Sequence, residues 1–425
     1  MGIILFIAFF VLLFLNVPIA VCLGLAAVAA LGFTGSTALT IVPQTMFTAV
    51  NSFSLMAIPF FVLAGNVMAS GGISRRLVNF ANLLIGGIRG GLSMAAILAS
   101  MIFAAISGSC PATTAAIGSI MVPEMEKSGY DLDFSAATVA AAGTVGQVIP
   151  PSVPMVTYCV LAGCSVSTLF MAGIGPGILM GLVMMGISYR YAVTHNILVK
   201  KARRSFKEVA HIFMDSIWAV LMPVIILGGI YSGIFTPTES AAVAVIYGLL
   251  VGRFIYRDLK MKDLIKILND SAAGTAVIML IMATAGTFSW ILTSERIPQL
   301  IANTLLGITT NKYILLFLFN IILLIAGCFL NLSAAVILLT PILLPVLTAV
   351  GVNPYLVGIV MIVNLAVGQI TPPVGACLYV ACNIAHIKLE PLVKAIIPYL
   401  IALILTIVAI TYIEPISLMI PNFFG

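Results

Sequence analysis

Apolar runs without a single charge constrain this chain more than any other feature. Ile3 to Leu15 and Leu315 to Ile325 are two of them. In a bilayer such a run must satisfy its own backbone as a helix. The runs do not alternate in polarity, which excludes a membrane barrel. Charged residues fill 8% of the 425 positions and hydrophobic ones 62%, whereas soluble domains carry roughly a quarter charged residues. A soluble enzyme, a nucleic-acid binder and a disordered regulator are thereby excluded. What remains is an all-α polytopic membrane protein, with room for about ten membrane segments.

Hydropathy places segments at 3–34 and 50–70, the first broken at Asn16-Val17-Pro18 and readable as one bent helix or two short ones. Two short helices, 92–106 and 112–127, flank Ser107-Gly108-Ser109. Segment 135–165 is interrupted at Gly146-Gln147-Val148-Ile149-Pro150-Pro151. Segments 167–190, 217–234, 238–256 and 274–294 follow. A second short pair, 313–328 and 334–350, flanks Leu330-Asn331-Leu332-Ser333. Segment 354–386 is interrupted at Gly368-Gln369-Ile370-Thr371-Pro372-Pro373, and the last covers 392–414. A helix of about 15 residues reaches only about 22 Å, short of a core of about 30 Å. Both short pairs therefore read as re-entrant hairpins. Lys200–Asp215 and Tyr256–Asp270 are basic and amphipathic, and read as helices lying at the membrane interface.

Crossing parity then collects 17 of the 19 Lys and Arg residues on one face, leaving Arg296 and Lys312 opposite. The positive-inside rule makes the crowded face cytoplasmic and the C-terminus external. The seven cysteines lie in apolar segments without a Cys-x-x-Cys and read as small buried hydrophobes. The N-terminal run lacks a basic flank and a cleavage pattern, so it reads as a membrane helix rather than a removed signal.

The chain repeats itself. Val145 to Pro151 matches Val367 to Pro373 at an offset of 222, with five of seven positions identical. The same offset pairs Ser109 with Asn331, Pro123 with Pro345 and Gly129 with Gly351. An offset of 221 pairs Phe80–Gly86 with Ile301–Gly307. Each half runs hairpin, then broken helix, and parity gives the halves opposite orientations: an inverted repeat, as in secondary transporters.

Each Pro-Pro removes two amide donors, and glycine lets the chain leave helical angles. Carbonyls freed in this way must meet protein, water or an ion. Neutral oxygens suit a sodium ion. One candidate site joins Ser107 and Ser109 to backbone around Gly146, Val148 and Pro150; the other joins Asn331 and Ser333 to backbone around Gly368, Thr371 and Pro372. Neither tip nor break holds an Asp, Glu or His, which favours a sodium gradient over a proton gradient. The second helix of each hairpin starts near the midplane with its positive end toward the space between the repeats, which favours an anionic substrate. Thr113, Thr114, Ser152 and Ser333 are the candidate orienting hydroxyls. A stand-alone sodium–carboxylate symporter is a second reading. An intramembrane enzyme would need a cluster of acids, His or Arg that the sequence lacks.

The paired Gly-Gln-x-x-Pro-Pro motifs, the Ser-Gly-Ser hairpin at 107–113 and Gly-Ile-Phe-Thr-Pro-Thr-Glu-Ser-Ala-Ala at 233–242 resemble the large membrane subunit of tripartite ATP-independent periplasmic (TRAP) transporters. The resemblance covers essentially the whole chain. It implies an elevator-type carrier in a bacterial inner membrane, driven by sodium bound at the two tip-and-break sites. It also implies a periplasmic binding protein that delivers an organic acid, C4-dicarboxylate or sialic acid, the latter branch being the nearer in general likeness. A small four-helix membrane subunit is implied as a separate chain, since 425 residues leave no room for it. The expected division is scaffold at 1–74 and 167–273, moving repeats at 75–166 and 274–388, and a C-terminal helix at 389–425. No phosphate-cradling loop points to ATP.

Overall fold

The computed structural model describes residues 1–35, 37–197, 205–309 and 311–424. Among them every regular element is helical. The N-terminal group is α1 (Gly2–Phe14), α2 (Ile19–Thr34), α3 (Ile41–Val50) and α4 (Ala57–Ser70). The first repeat comprises α5 (Ile73–Ile85), α6 (Gly91–Ser107), α7 (Cys110–Glu126), α8 (Leu132–Gly143), α9 (Val153–Ala162) and α10 (Val166–Thr194). Then come α11 (Phe206–Tyr231), α12 (Pro237–Leu250) and α13 (Met261–Ser294). The second repeat is α14 (Ile297–Ile308), α15 (Lys312–Phe329), α16 (Leu332–Ala349), α17 (Pro354–Gly368), α18 (Ala376–Ala385) and α19 (Leu389–Tyr412), and α20 (Pro415–Phe424) closes the chain. Among the described residues, eight helical stretches are long and apolar enough to cross a membrane.

The repeat seen in the motifs extends to whole helices. Starts at 73, 91, 110, 132, 153 and 166 recur in order at 297, 312, 332, 354, 376 and 389. The two broken helices run in opposite directions. Tyr158, near the end of α9, donates its hydroxyl to the carbonyl of Pro354 at the start of α17 (2.6 Å), and its ring packs against Gly358. Small residues permit such close helix packing, and the face of α8 from Ala136 to Ala142 is buried throughout.

One open alternative is settled and three expectations change. Residues 3–34 form two helices, because Pro18 cannot donate its amide and Asn16 takes a left-handed turn (φ 60°). The hairpin helices have 17 or 18 residues, so they reach about 26 Å, and length alone does not set them apart from spans. The region 206–231 is one helix, as is 261–294, so the expected interfacial helices are the first turns of longer ones. No glycine or proline separates Asp215 from Ile217, and Ser271-Ala272-Ala273 is helix-permissive, so nothing stops propagation. Residues 200–204 of the first expected interfacial helix lie outside the described residues. Finally, α3, α5, α14 and α20 were not anticipated.

The amphipathic ends are tied to α5 through Arg76. Its guanidinium bonds Asp215 (3.2 Å) and Asp258 (2.6 Å) and lies 3.6 Å above the Tyr256 ring. Tyr256 in turn donates its hydroxyl to the Asp215 carbonyl (2.8 Å). Six of the seven cysteines are buried and the seventh, Cys164, half-buried.

Candidate functional site

Both hairpin tips and both helix breaks meet at one cavity of about 650 Å³. Its far wall is the start of α2, one face of α4 and one face of α13. The tips therefore end inside the protein, which is what defines α6–α7 and α15–α16 as hairpins.

The first tip turns on Gly108, whose φ of 56° suits glycine best. Ser109 then caps α7, its Oγ accepting from the Ala112 amide at 3.5 Å. Ser107 Oγ and Thr113 Oγ1 share a hydrogen bond of 2.7 Å. At the second tip Asn331 caps α16, its Oδ1 accepting from the Ser333 amide at 3.1 Å. These caps satisfy donors that a helix start leaves free.

Each break is fastened to its own tip by the glutamine of its motif. Gln147 Oε1 accepts from Cys110 Sγ (3.1 Å), and the Gln147 carbonyl accepts from Ser152 Oγ (2.7 Å). Gln369 Nε2 donates to the Leu330 carbonyl (3.2 Å), and its own carbonyl accepts from the Cys377 amide (3.0 Å). The glycine beside each glutamine allows backbones to touch. A Cβ on Gly146 would stand 2.6 Å from Thr113 Oγ1 and 2.7 Å from the Ser109 carbonyl; one on Gly368 would stand 2.5 Å from Gly327. Pro150-Pro151 and Pro372-Pro373 both carry cis peptide bonds.

Of the residues expected from sequence, Ser107, Ser109, Asn331 and Ser333 line the cavity. Gly146, Val148 and Pro150 are buried behind the first tip, with the Val148 carbonyl toward Gly173 of α10. Gly368 packs on α15, Thr371 Oγ1 donates to the Val367 carbonyl (2.9 Å), and Pro372 is half-buried. Thr113, Thr114 and Ser152 are fully buried and bonded within the first repeat, away from the lining. Sequence reasoning passed over Gln147 and Gln369, although their identity at the 222 offset marked them. It also passed over Asn66 and Asp270, which line the far wall and have no repeat partner to reveal them.

A bundle with two opposed hairpins and two broken helices around a central cavity, largely apolar with polar tips, defines a membrane carrier fold. The chain belongs to the family described as "Tripartite ATP-independent periplasmic transporter, DctM component", which matches residues 6–416. It is 47% identical to the isethionate TRAP transporter permease protein DctMQ of Oleidesulfovibrio alaskensis over 98% of this chain; the match spans 65% of that relative. It is 44% identical to the C4-dicarboxylate TRAP transporter large permease protein of Pseudomonas aeruginosa, over 89% of each chain. The sialic acid TRAP transporter large permease protein of Vibrio cholerae is 37% identical over 89% of this chain and 88% of that one. The crystal structure of the Alcanivorax borkumensis YdaH transporter shares the fold, with a TM-score of 0.67 at 16% identity, over 89% of this chain and 90% of that one.

Proposed function

We propose that this chain is the large membrane subunit of a sodium-coupled importer of organic acids, working by elevator-type alternating access in a bacterial inner membrane. The observation that carries the reading is the convergence of two capped tips and the glutamines of two proline breaks on one cavity. Tip oxygens at Ser107, Ser109, Asn331 and Ser333 are neutral, the donor type suited to a hard monovalent cation. Two cations held there, with the positive starts of α7 and α16, would offset one organic anion in a low-dielectric setting. Gly146, Val148 and Pro150, with Gly368, Thr371 and Pro372, complete the two proposed sodium sites. Thr113, Thr114 and Ser152 brace the first tip, leaving Ser333 as the expected substrate contact among the four.

The hairpins and broken helices are the proposed moving part, and α4 and α13 belong to the fixed wall, so the second moving repeat is proposed to begin after α13 rather than at the expected residue 274. A separate small four-helix membrane subunit and a periplasmic binding protein are the proposed partners, with the C-terminus on the periplasmic side. Relatives named for isethionate, C4-dicarboxylates and sialic acid support a carboxylate or sulfonate substrate. The test is uptake of radiolabelled isethionate, succinate and sialic acid into proteoliposomes holding both membrane subunits. Binding protein and inward sodium gradient are each supplied or omitted. Uptake of one acid only when both are present is expected. Uptake without the binding protein would favour the stand-alone symporter, and uptake without sodium would remove the ion assignment.

A further inference from the structure

Asp270 is the one ionisable side chain among the described residues lining the central cavity. Because α13 continues unbroken past it, its carboxylate shares a face with Gly274, Val277, Ile278 and Ile281. The wall that carries Asp270 abuts the first tip, and the carboxylate faces the tips across the cavity. A Cβ on Gly65 would stand 3.3 Å from the Ser107 backbone. The next residue, Asn66, donates Nδ2 to Ser271 Oγ at 2.8 Å, and Ser271 follows Asp270 directly. Asp270 makes no hydrogen bond or ion pair among the described residues, and it is exposed to the cavity. The cavity is therefore polarised. The positive starts of α7 and α16 stand on one side and a free carboxylate on the other.

We propose that Asp270 sets the class of acid this cavity takes: a monoanion whose far end carries a hydroxyl or ammonium group, in preference to a dianion. This rests on the carrier reading above. The anionic group of the ligand lies at the tips, and its distal donor makes a charge-assisted hydrogen bond to Asp270. A second anionic group in that place meets a like charge. At about 10 Å and an effective permittivity near 20 this repulsion is worth roughly a tenfold loss of affinity.

The test compares isethionate, a hydroxylated monoanion, with succinate, a dianion. Binding is read without the binding protein, as the ligand concentration that half-saturates the sodium-dependent rise in melting temperature of the purified membrane subunits. The wild type should prefer isethionate. Asp270→Asn should move the affinity ratio toward succinate by about tenfold, and Asp270→Glu should keep the wild-type order. Asp270→Ser serves if the Asn variant does not fold. An unchanged ratio, or a wild type that prefers succinate, overturns this inference and leaves the carrier reading standing. A wild type that binds no organic acid in sodium overturns the carrier reading, and this inference with it.

Discussion

The two breaks share a motif but not an environment. At the first, Pro150, Pro151 and Ser152 are buried; Gly108 of the first tip packs on Pro151 and Ser152, and α10 packs on Val148 and Ile149 just before them. At the second, Thr371 and Pro372 are half-buried while Pro373 and Val374 are exposed. The cause lies one helix further on. Gly173 and Gly177 let α10 approach so closely that a Cβ on Gly173 would stand 2.7 Å from the Val148 carbonyl. In α19 the corresponding stretch carries Ala395, Ile396, Tyr399 and Leu400, and its Tyr399 hydroxyl is spent on Thr138 (2.9 Å) and Ser188 (2.8 Å) of the other repeat. Repetition therefore preserves what the backbone must do, and the neighbouring side chains decide which half stays accessible.

The largest expected effect tests whether both halves are needed. Ser109→Leu and Asn331→Leu each remove a tip oxygen, worth on the order of 1.5–3 kcal/mol when it meets a charge, or roughly ten- to a hundredfold. Sodium-driven uptake should fall by that much in both variants while the protein still inserts. Full uptake in either would leave that half without an ion role. Next, Gly173→Leu should cost about 3 kcal/mol by overpacking the sealed break, and Ala395→Leu under about 1 kcal/mol. Melting temperatures in detergent compare them, and equal losses would contradict the asymmetry. Third, a cysteine at Val374 should react with a soluble maleimide faster than one at Ser152. The reverse order would mean that the first break is the open one. The smallest effect concerns the motif glutamines. Gln369→Leu and Gln147→Leu should each lower stability by about 1 kcal/mol through one lost hydrogen bond, as read from the same melts.

The sequence made much of this legible, for physical reasons. A 222-residue offset survives because proline and glycine breaks tolerate few replacements, and hydropathy locates spans because lipid admits little else. The amphipathic α5 and α14 escaped notice because Arg75, Arg76 and Asn79, or Gln299 and Asn303, dilute their hydropathy below that of a span. The continuity of α13 was hidden for a related reason. Its first turns are polar on one face and its later turns apolar, so one helix presents as two. Hydropathy consequently puts Asp270 at an interface rather than beside the cavity. Gln147 and Gln369 were visible as letters, but their bonds to Cys110 and Leu330 depend on folding the tip onto the break.

One consequence of the unbroken α13 concerns measurement. Its 34 residues make a rod of about 51 Å, with a graduation every 5.4 Å, set beside both tips. A sliding tip would pass its residues in order, Asp270, Gly274, Ile278, Ile281. Cross-links from one tip cysteine to successive positions on that rod would read the stroke of the carrier as on a ruler.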